Sequence, residues 1–239
     1  KTSLEKLAES FREKGIAVER IEGVPDALSL SHTGNIGLLP EFQEGLCYVQ
    51  DLSSQICASF AAPNPGERVY DLCAAPGSKS FTMALLMKNQ GEIRSFDLYP
   101  HKLELIEKTA ERLGIRMIHT GVQDAALPHE DLAQADSILC DVPCSGLGII
   151  RRKPEIKYKS RESLAGLSEL QYRILENGST YVKRGGKLIY STFALSREEN
   201  NAQAERFLKE HPEFEGIEIE RGLPRNAMAE GNQITFFRS

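Results

Sequence analysis

The feature that most constrains the fold is a regular alternation of short β-rich runs with amphipathic stretches, which starts near residue 66. Such an alternation is typical of βαβ units and predicts a parallel sheet covered by helices on both faces. Strands are predicted over 68–72, 93–98, 117–120, 137–142 and 187–192. Helices are predicted over 80–88, 101–113 and 164–182. A capping box at Ser196 and Glu199 predicts one more helix, which ends before His211.

The first 45 residues have a different pattern. A helix is predicted over 3–14, a short β run over 27–31, and a turn at Thr33-Gly34-Asn35. We therefore expect a small α+β appendage over residues 1–45, followed by the α/β domain over residues 46–239. Because the chain starts at Lys1 without methionine and enters a helical pattern almost at once, we expect a fragment or a processed product.

Composition limits the class of protein. A chain of 239 residues with 41% hydrophobic content is long enough to bury a proper core, and its net charge of −5 is too moderate for disorder. No apolar run approaches the roughly 18 residues needed to cross a bilayer, so a soluble protein is expected. The cysteines are odd in number, five, and scattered, which favours a reducing cytoplasm. Cys140 and Cys144 lie four apart without a second pair or a nearby histidine, so no metal site is expected.

The segment from Asp71 to Lys79 ends the first predicted strand and opens a helix, which is where α/β sheets bind cofactors. Its small residues let a ligand approach the backbone, and free amides at a helix start bind carboxylates or phosphates. A Walker loop is excluded, because Cys73 and Ser78 stand where that loop needs glycines. The dinucleotide pattern is excluded too, since Gly77 is the segment's single glycine. An ordinary tight turn remains an alternative.

Aspartates follow the next strands in a regular series. Asp97 ends the second predicted strand, Asp124 follows the third, and Asp141 ends the fourth. An acid in the position of Asp97 can accept hydrogen bonds from ribose hydroxyls. A single strand-end aspartate is usually a cap or a turn, but the repetition indicates a ligand site at the carboxyl edge of the sheet.

A cysteine stands beside a proline just past the fourth strand, in the run Asp141-Val-Pro-Cys-Ser-Gly146. The proline and the glycine fix a turn, so Cys144 is predicted to project from the rim of the sheet. A reactive cysteine needs an electropositive setting. The following segment 151–161 carries six basic residues and one acidic residue. It is either a solvated charged face or, in an otherwise acidic chain, a contact for a nucleic-acid backbone.

These motifs together resemble the RsmB/Sun (NSUN-type) RNA cytosine carbon-5 methyltransferases, and among them most closely the bacterial enzyme that acts on 16S ribosomal RNA. The resemblance covers nearly the whole chain and rests on order and spacing. Its motifs are the lead-in at 48–54, the loop at 71–79, Asp97, Asp124, and the runs at 141–146, 152–155, 190–192 and 198–200.

The resemblance implies a Rossmann-like fold that depends on S-adenosylmethionine. Asp97 would hold the ribose hydroxyls, Asp124 would lie near the adenine, and Asp141 would face the methyl donor and the target base. The loop residues that would cradle the methionine and ribose part of the cofactor are Cys73, Ala74, Ala75, Pro76, Gly77, Ser78 and Lys79. The appendage and the basic residues Arg151, Arg152 and Lys153 would help to seat the RNA.

The reaction that this family catalyses explains why its members need a reactive cysteine. Carbon 5 of cytosine is a poor nucleophile, so a thiolate adds to carbon 6 and generates an enamine that can take a methyl group. The target base must leave its stack to expose its face.

The chain departs from its family at the nucleophile. Family members carry two cysteines: one in the Pro-Cys motif, matched by Cys144, which assists turnover, and one after Ser-Thr in a later strand, which acts as the nucleophile. Here Ser191-Thr192 is followed by Phe193. Three explanations stand open: Cys144 has taken over the attack, the protein binds cofactor and RNA as an inactive assembly factor, or Phe193 is a divergent or introduced change. The family also closes with an Asp-Gly-Phe-Phe strand, whereas this chain ends Thr235-Phe-Phe-Arg-Ser239. A strand at the sheet edge is therefore either missing or supplied differently.

Overall fold

The elements of the computed structural model follow the predicted alternation; it describes residues 1–24, 26–150, 153–158, 164–217 and 233–238. The strands are β1 (Ala17–Arg20), β2 (Leu28–Ser31), β3 (Arg68–Asp71), β4 (Glu92–Asp97), β5 (Ile118–Val122), β6 (Ala135–Asp141), β7 (Val182–Thr192), β8 (Glu215–Ile217) and β9 (Gln233–Arg238). The helices are α1 (Leu4–Glu13), α2 (Pro40–Gln43), α3 (Leu52–Ala61), α4 (Ser78–Leu86), α5 (Pro100–Leu113), α6 (Leu167–Ser179) and α7 (Asn201–Glu210).

The main sheet has the strand order β5-β4-β3-β6-β7-β9-β8. The pairs from β5 to β7 are parallel, and β9 pairs antiparallel with both β7 and β8. The chain runs outward from β3 in one direction and then, from β6, in the other. The junction between β3 and β6 is thus the topological switch point, where sheets of this kind bind their ligands.

Helices cover both faces of the sheet, which confirms the predicted Rossmann-like α/β fold. Neighbouring strand residues point to opposite faces, because side chains alternate along a strand. Val69 packs with α3, α4 and α5, whereas Tyr70 packs with α6 and α7. Among the described helices, none combines the length and the apolar character that a membrane span requires.

The N-terminal appendage consists of α1, an antiparallel hairpin of β1 and β2, and a short helical turn that leads into α2. Val24 and Ala27 pack against Ile56 of α3. Arg112 of α5 lies over the Phe42 ring, 4.0 Å from its centroid, and donates a hydrogen bond to the Cys47 carbonyl at 3.0 Å. These contacts attach the predicted α+β unit to the sheet domain.

The structure differs from the sequence-based strand predictions at the end of the sheet. β7 begins five residues before the predicted start at 187, because the polar run from Lys183 to Gly186 continues the strand around a bulge. A final strand is present: β9 lies between β7 and β8, so the strand that the sequence left open is supplied by 233–238. The helix predicted over 164–182 is assigned as α6 over Leu167–Ser179.

Candidate active site

The loop between β3 and α4 is held tightly against its neighbours. The Ala74 N–H donates to the Phe96 carbonyl at 2.8 Å, and the Gly77 N–H donates to the Ala74 carbonyl at 2.7 Å. Gly77 has a φ of +100°, and a Cβ there would lie 2.8 Å from the Phe81 ring. A larger residue is therefore excluded for both backbone and packing reasons, and the loop backbone is fixed at the switch point of the sheet.

A buried polar cluster lies beneath this loop. Ser80 Oγ donates to Asp71 Oδ2 at 2.7 Å, and Ser95 Oγ donates to Ser80 Oγ at 2.8 Å. Asp71 Oδ1 is buried and has no hydrogen-bond partner among the described residues. Burial raises the pKa of Asp71 to about 7, and the nearby charge of Asp141 acts in the same direction. The unpaired oxygen gives this edge of the sheet an acceptor for a cationic group.

The raised pKa of Asp71 predicts a pH-dependent stability. Between its ordinary value of 3.8 and about 7 the folded state keeps a proton that the unfolded state has released, so stability falls as the pH rises through this range. We expect Asp71→Asn to increase the free energy of unfolding by about 1–3 kcal/mol at pH 8, with a gain near zero at pH 4. Urea unfolding, monitored by circular dichroism at both pH values, measures this change in the free energy of unfolding. Asp124→Asn makes the same chemical change at an exposed position of the same edge, and an equal gain in both variants would contradict the prediction.

The other strand-end aspartates lie along the same edge. Asp97 is 8% exposed; its Oδ1 accepts a hydrogen bond from the Tyr99 N–H at 3.0 Å and lies 3.4 Å from Lys102 Nζ. Asp124 is exposed, and its Oδ1 accepts from the Ala126 N–H at 2.9 Å. Both aspartates thus make the local turn contacts that are usual for an aspartate at the end of a strand. Both also lie at the carboxyl edge of the sheet.

The side chain of Lys79, in the first turn of α4, is buried. Its ammonium is 2.6 Å from Asp141 Oδ2 and 3.4 Å from Ser54 Oγ, and it faces the Phe193 ring at 5.1 Å from the centroid. Burial opposes the charge of Lys79, but the carboxylate of Asp141 outweighs burial and raises the pKa of Lys79. The structure therefore joins the first turn of α4 to the end of β6 by an ion pair in which the lysine is buried and the aspartate is partly buried.

Asp141 is fixed from the other side by β7. The register of β6 and β7 places Asp141 opposite Ser191, and Ser191 Oγ donates to Asp141 Oδ1 at 2.8 Å. Both carboxylate oxygens therefore have a donor. Phe193 directly follows Thr192, the last residue of β7, and its aromatic ring faces the Lys79 ammonium.

The Cys144 thiol meets the loop after β7. The Phe193 N–H donates to Cys144 Sγ at 3.3 Å, and the Gly148 N–H donates to the Phe193 carbonyl at 2.8 Å. Cys144 is half-buried, whereas the sequence predicted projection from the rim. Burial raises the pKa of the thiol, the N–H groups of Phe193 and Gly146 oppose this, and the charges of Asp141 and Glu199 add to it. The expected electropositive setting is thus replaced by two neighbouring carboxylates.

A second buried network, to which the sequence analysis gave no role, supports the Cys144 turn. Glu199 Oε2 accepts from the Ser145 N–H at 2.8 Å and from Gln171 Nε2 at 2.9 Å. Gln171 Nε2 also donates to the Pro143 carbonyl at 2.9 Å. The predicted capping box is the sequence signal that marks Glu199. Ser196 Oγ accepts a hydrogen bond from the Glu199 N–H at 3.2 Å, as in a capping box, although α7 itself begins at Asn201.

The remaining predicted site residues are placed as follows. Cys73 is half-buried and packs against the core on the side of the sheet that α6 and α7 cover. Lys153 is exposed next to a short helical turn over Pro154–Tyr158. Arg151 and Arg152 lie outside the described residues. Among the described residues, no three histidine, cysteine or acidic side chains group in a way that could hold a metal ion.

A seven-stranded sheet in this order, with a fixed glycine loop at its switch point and acidic residues at successive strand ends, defines the class of Rossmann-like methyltransferases. The sequence profile of the family "16S rRNA methyltransferase RsmB/F" matches residues 58–237. The chain belongs to this family.

Individual proteins agree with this assignment. The chain is 43% identical over 222 residues to "Probable ribosomal RNA small subunit methyltransferase B" of Bacillus subtilis, covering 91% of this chain and 49% of that protein. A methyltransferase homolog from Pyrococcus horikoshii superposes with a TM-score of 0.83 and 29% identity over 100% of this chain and 83% of that one. NSun6 from Pyrococcus horikoshii, solved with SFG, gives a TM-score of 0.74 and 28% identity over 84% and 55%. The chain spans about half the length of the curated relatives it matches.

Proposed function

We propose that this chain methylates carbon 5 of a cytosine in RNA, with S-adenosylmethionine as methyl donor and 16S ribosomal RNA as substrate, in the cytoplasm. Membership in the RsmB/F family supports the reaction class. The names of curated relatives, such as the Bacillus subtilis protein, support the choice of small-subunit RNA. The observation that carries the proposal is the meeting of the Cys144 thiol, the Phe193 backbone and the Lys79–Asp141 ion pair at the ends of β6 and β7.

The residues at the switch point fit S-adenosylmethionine, whose ammonium and sulfonium are cationic. Asp71 offers a buried unpaired oxygen, and such an atom is costly unless a donor completes it. The loop over residues 73–79, Asp97 and Asp124 would hold the remaining parts of the cofactor, as the family resemblance implies. When bound, S-adenosylmethionine supplies an electrophilic methyl group.

The side chains of this protein would prepare the base. The Cys144 thiolate adds to carbon 6 of cytosine; a sulfur–carbon bond forms, the carbon 5–carbon 6 double bond is lost, and carbon 5 becomes nucleophilic. After carbon 5 has taken the methyl group, its proton passes to water or a neighbouring base. The carbon–hydrogen electron pair restores the double bond, the sulfur–carbon bond breaks, and the Cys144 thiolate leaves with that bonding pair. The Asp141 carboxylate is an acceptor suited to the exocyclic amine of cytosine, and the Lys79 ammonium is a donor suited to its ring acceptors. This donor and acceptor pair favours cytosine over uracil.

Basic residues that follow the Cys144 turn in the sequence would bind the RNA backbone. Lys153 is exposed, and Arg151 and Arg152 precede it in sequence. Phosphate contacts of this type make affinity salt-dependent, with a slope that falls by about one for each contact removed. The N-terminal appendage is proposed as a further RNA contact.

The proposal is tested with the purified chain, unmethylated 16S RNA and S-adenosylmethionine labelled in its methyl group. We expect label in RNA, recovered as 5-methylcytidine by nucleoside mass spectrometry, and unchanged transfer in the surface variant Glu205→Gln. Cofactor binding by calorimetry and RNA binding by anisotropy are measured in parallel at several salt concentrations. Binding of both without any labelled product would overturn the enzyme proposal and favour the alternative, an RNA-binding assembly factor in which Phe193 has replaced the nucleophile.

A further inference from the structure

The position of the Cys144 thiol depends on how two loops are joined. The loop after β6 carries Cys144, and the loop after β7 carries Phe193, whose N–H and carbonyl bond to Cys144 Sγ and to the Gly148 N–H. These two hydrogen bonds can form only if the turn over residues 143–145 is held in place. Cys144 itself contributes a weak sulfur acceptor, so the turn needs stronger support from elsewhere.

That support comes from one carboxylate. Glu199 is 6% exposed, and its Oε2 accepts from the backbone N–H of Ser145. The fully buried amide of Gln171 bonds to the same Oε2 and to the carbonyl of Pro143. The carboxylate and the amide thus bind the backbone on both sides of Cys144, and hydrogen bonds to a charged acceptor are about twice as strong as neutral ones.

Glu199 is itself held at two points, its backbone carbonyl and its carboxylate. Tyr190 Oη of β7 donates to the Glu199 carbonyl at 2.7 Å, and Ser196 Oγ donates to Glu199 Oε1 at 3.2 Å. Burial works against the charge of Glu199, but the donors from Ser145, Gln171 and Ser196 outweigh it and hold the pKa of Glu199 below its usual range. Glu199 is therefore a fixed negative charge bonded to the turn that carries the thiol.

We infer that Glu199 is the positioning residue for the Cys144 thiol, and that it sets both the accessibility of the sulfur and the charge beside it. This inference rests on the proposed function in one respect, the assignment of the Cys144 thiol as the group that attacks the base. The charged groups that act on the sulfur are Asp141 from β6 and Glu199, opposed by the backbone donors of Phe193 and Gly146. Removing the charge of Glu199 therefore favours the thiolate, whereas removing the whole side chain releases the turn.

The test is the rate of iodoacetamide alkylation of each cysteine from pH 6 to pH 10, followed by peptide mass spectrometry on the full chain without RNA or cofactor. In Glu199→Gln, which keeps an acceptor for Ser145, we expect the midpoint of the Cys144 profile to fall by about half to one pH unit with an unchanged plateau. At pH 7 this makes alkylation about three- to tenfold faster. In Glu199→Ala we expect a higher plateau as well, because the released turn exposes the sulfur.

Two controls separate these effects from general loosening. Cys47 and Cys73, half-buried in the same molecule, should keep their rates, and Glu198→Gln makes the same change at the exposed neighbour. A Cys144 profile in Glu199→Ala that superposes on that of the unaltered protein would overturn the inference. If circular dichroism shows that Glu199→Ala is unfolded, Gln171→Met removes the bridge to Pro143, and an unchanged Cys144 plateau there would overturn it equally. The test measures cysteine alkylation and not methyl transfer. Its result can therefore be interpreted even if the proposed function is wrong.

Discussion

Changing Asp141 to asparagine is expected to lower the free energy of unfolding by about 3–5 kcal/mol, because it leaves the buried ammonium of Lys79 without its charged partner. The two groups lie 2.6 Å apart, and the Lys79 side chain is 9% exposed. The other groups that contact the ammonium, Ser54 Oγ at 3.4 Å and the Phe193 ring, are neutral, and Asp71 acts on it through space without a hydrogen bond. The variant is expected to retain some charge on Lys79 at low pH and to recover stability as the pH rises and the lysine deprotonates.

Urea unfolding of four proteins measures this coupling: the unaltered chain, Asp141→Asn, Lys79→Met, and the double variant. We expect the double variant to be more stable than Asp141→Asn, since a neutral pair no longer buries an unmatched charge. Glu205→Gln is the matched control, because it breaks the exposed ion pair with Arg197, and exposed pairs contribute little. A stability of Asp141→Asn equal to that of this control would show that the Lys79–Asp141 pair is solvated rather than buried.

The sequence predicted the fold because its signals are local. The strand β6 contains the short apolar run Ile138-Leu-Cys140, and some helix ends have their own residue signal, such as Gly114 at the end of α5. The early start of β7 was missed for the same reason. Lys183, Arg184 and Gly185 are exposed and lack strand character, and only the pairing of Val182 with Ala135 of β6 marks the true start of the strand.

The site was predicted in part. Strand-end positions locate Asp97, Asp124 and Asp141 on one edge, since parallel strands end together. The pairing of Lys79 with Asp141 could not be predicted, because 62 residues separate them and their contact depends on the rotation of α4 over the sheet. Gln171 is likewise a polar residue on a helix, and nothing in its neighbourhood in sequence marks it as the buried support of a turn two elements away.

Replacing Cys144 by serine is expected to reduce methyl transfer to RNA at least about 100-fold, because an alcohol at this position has far less nucleophilic character than a thiolate. The raised pKa of Cys144, caused first by burial, predicts the pH dependence of the unaltered protein. The reactive form is deprotonated, so the rate should rise as the pH increases from 7 to 9. Cys47→Ser makes the same change away from the site and should leave the rate unaltered.

The companion variant Phe193→Cys tests whether the position after Thr192 still accepts a nucleophile. The Phe193 ring faces the Lys79 ammonium, and a thiolate in its place would be stabilised by that charge, which lowers a cysteine pKa. We therefore expect Phe193→Cys to transfer methyl groups at least about tenfold faster than the unaltered chain at pH 7. With Cys144→Ser added, this variant should still attack the base through the introduced thiol. It would lack the Pro-Cys thiol that assists turnover in the family it resembles, so we expect slow release and RNA that stays covalently attached in denaturing gels. Full activity of Cys144→Ser in the Phe193 background would show that neither the thiol nor the turn that holds it performs the attack.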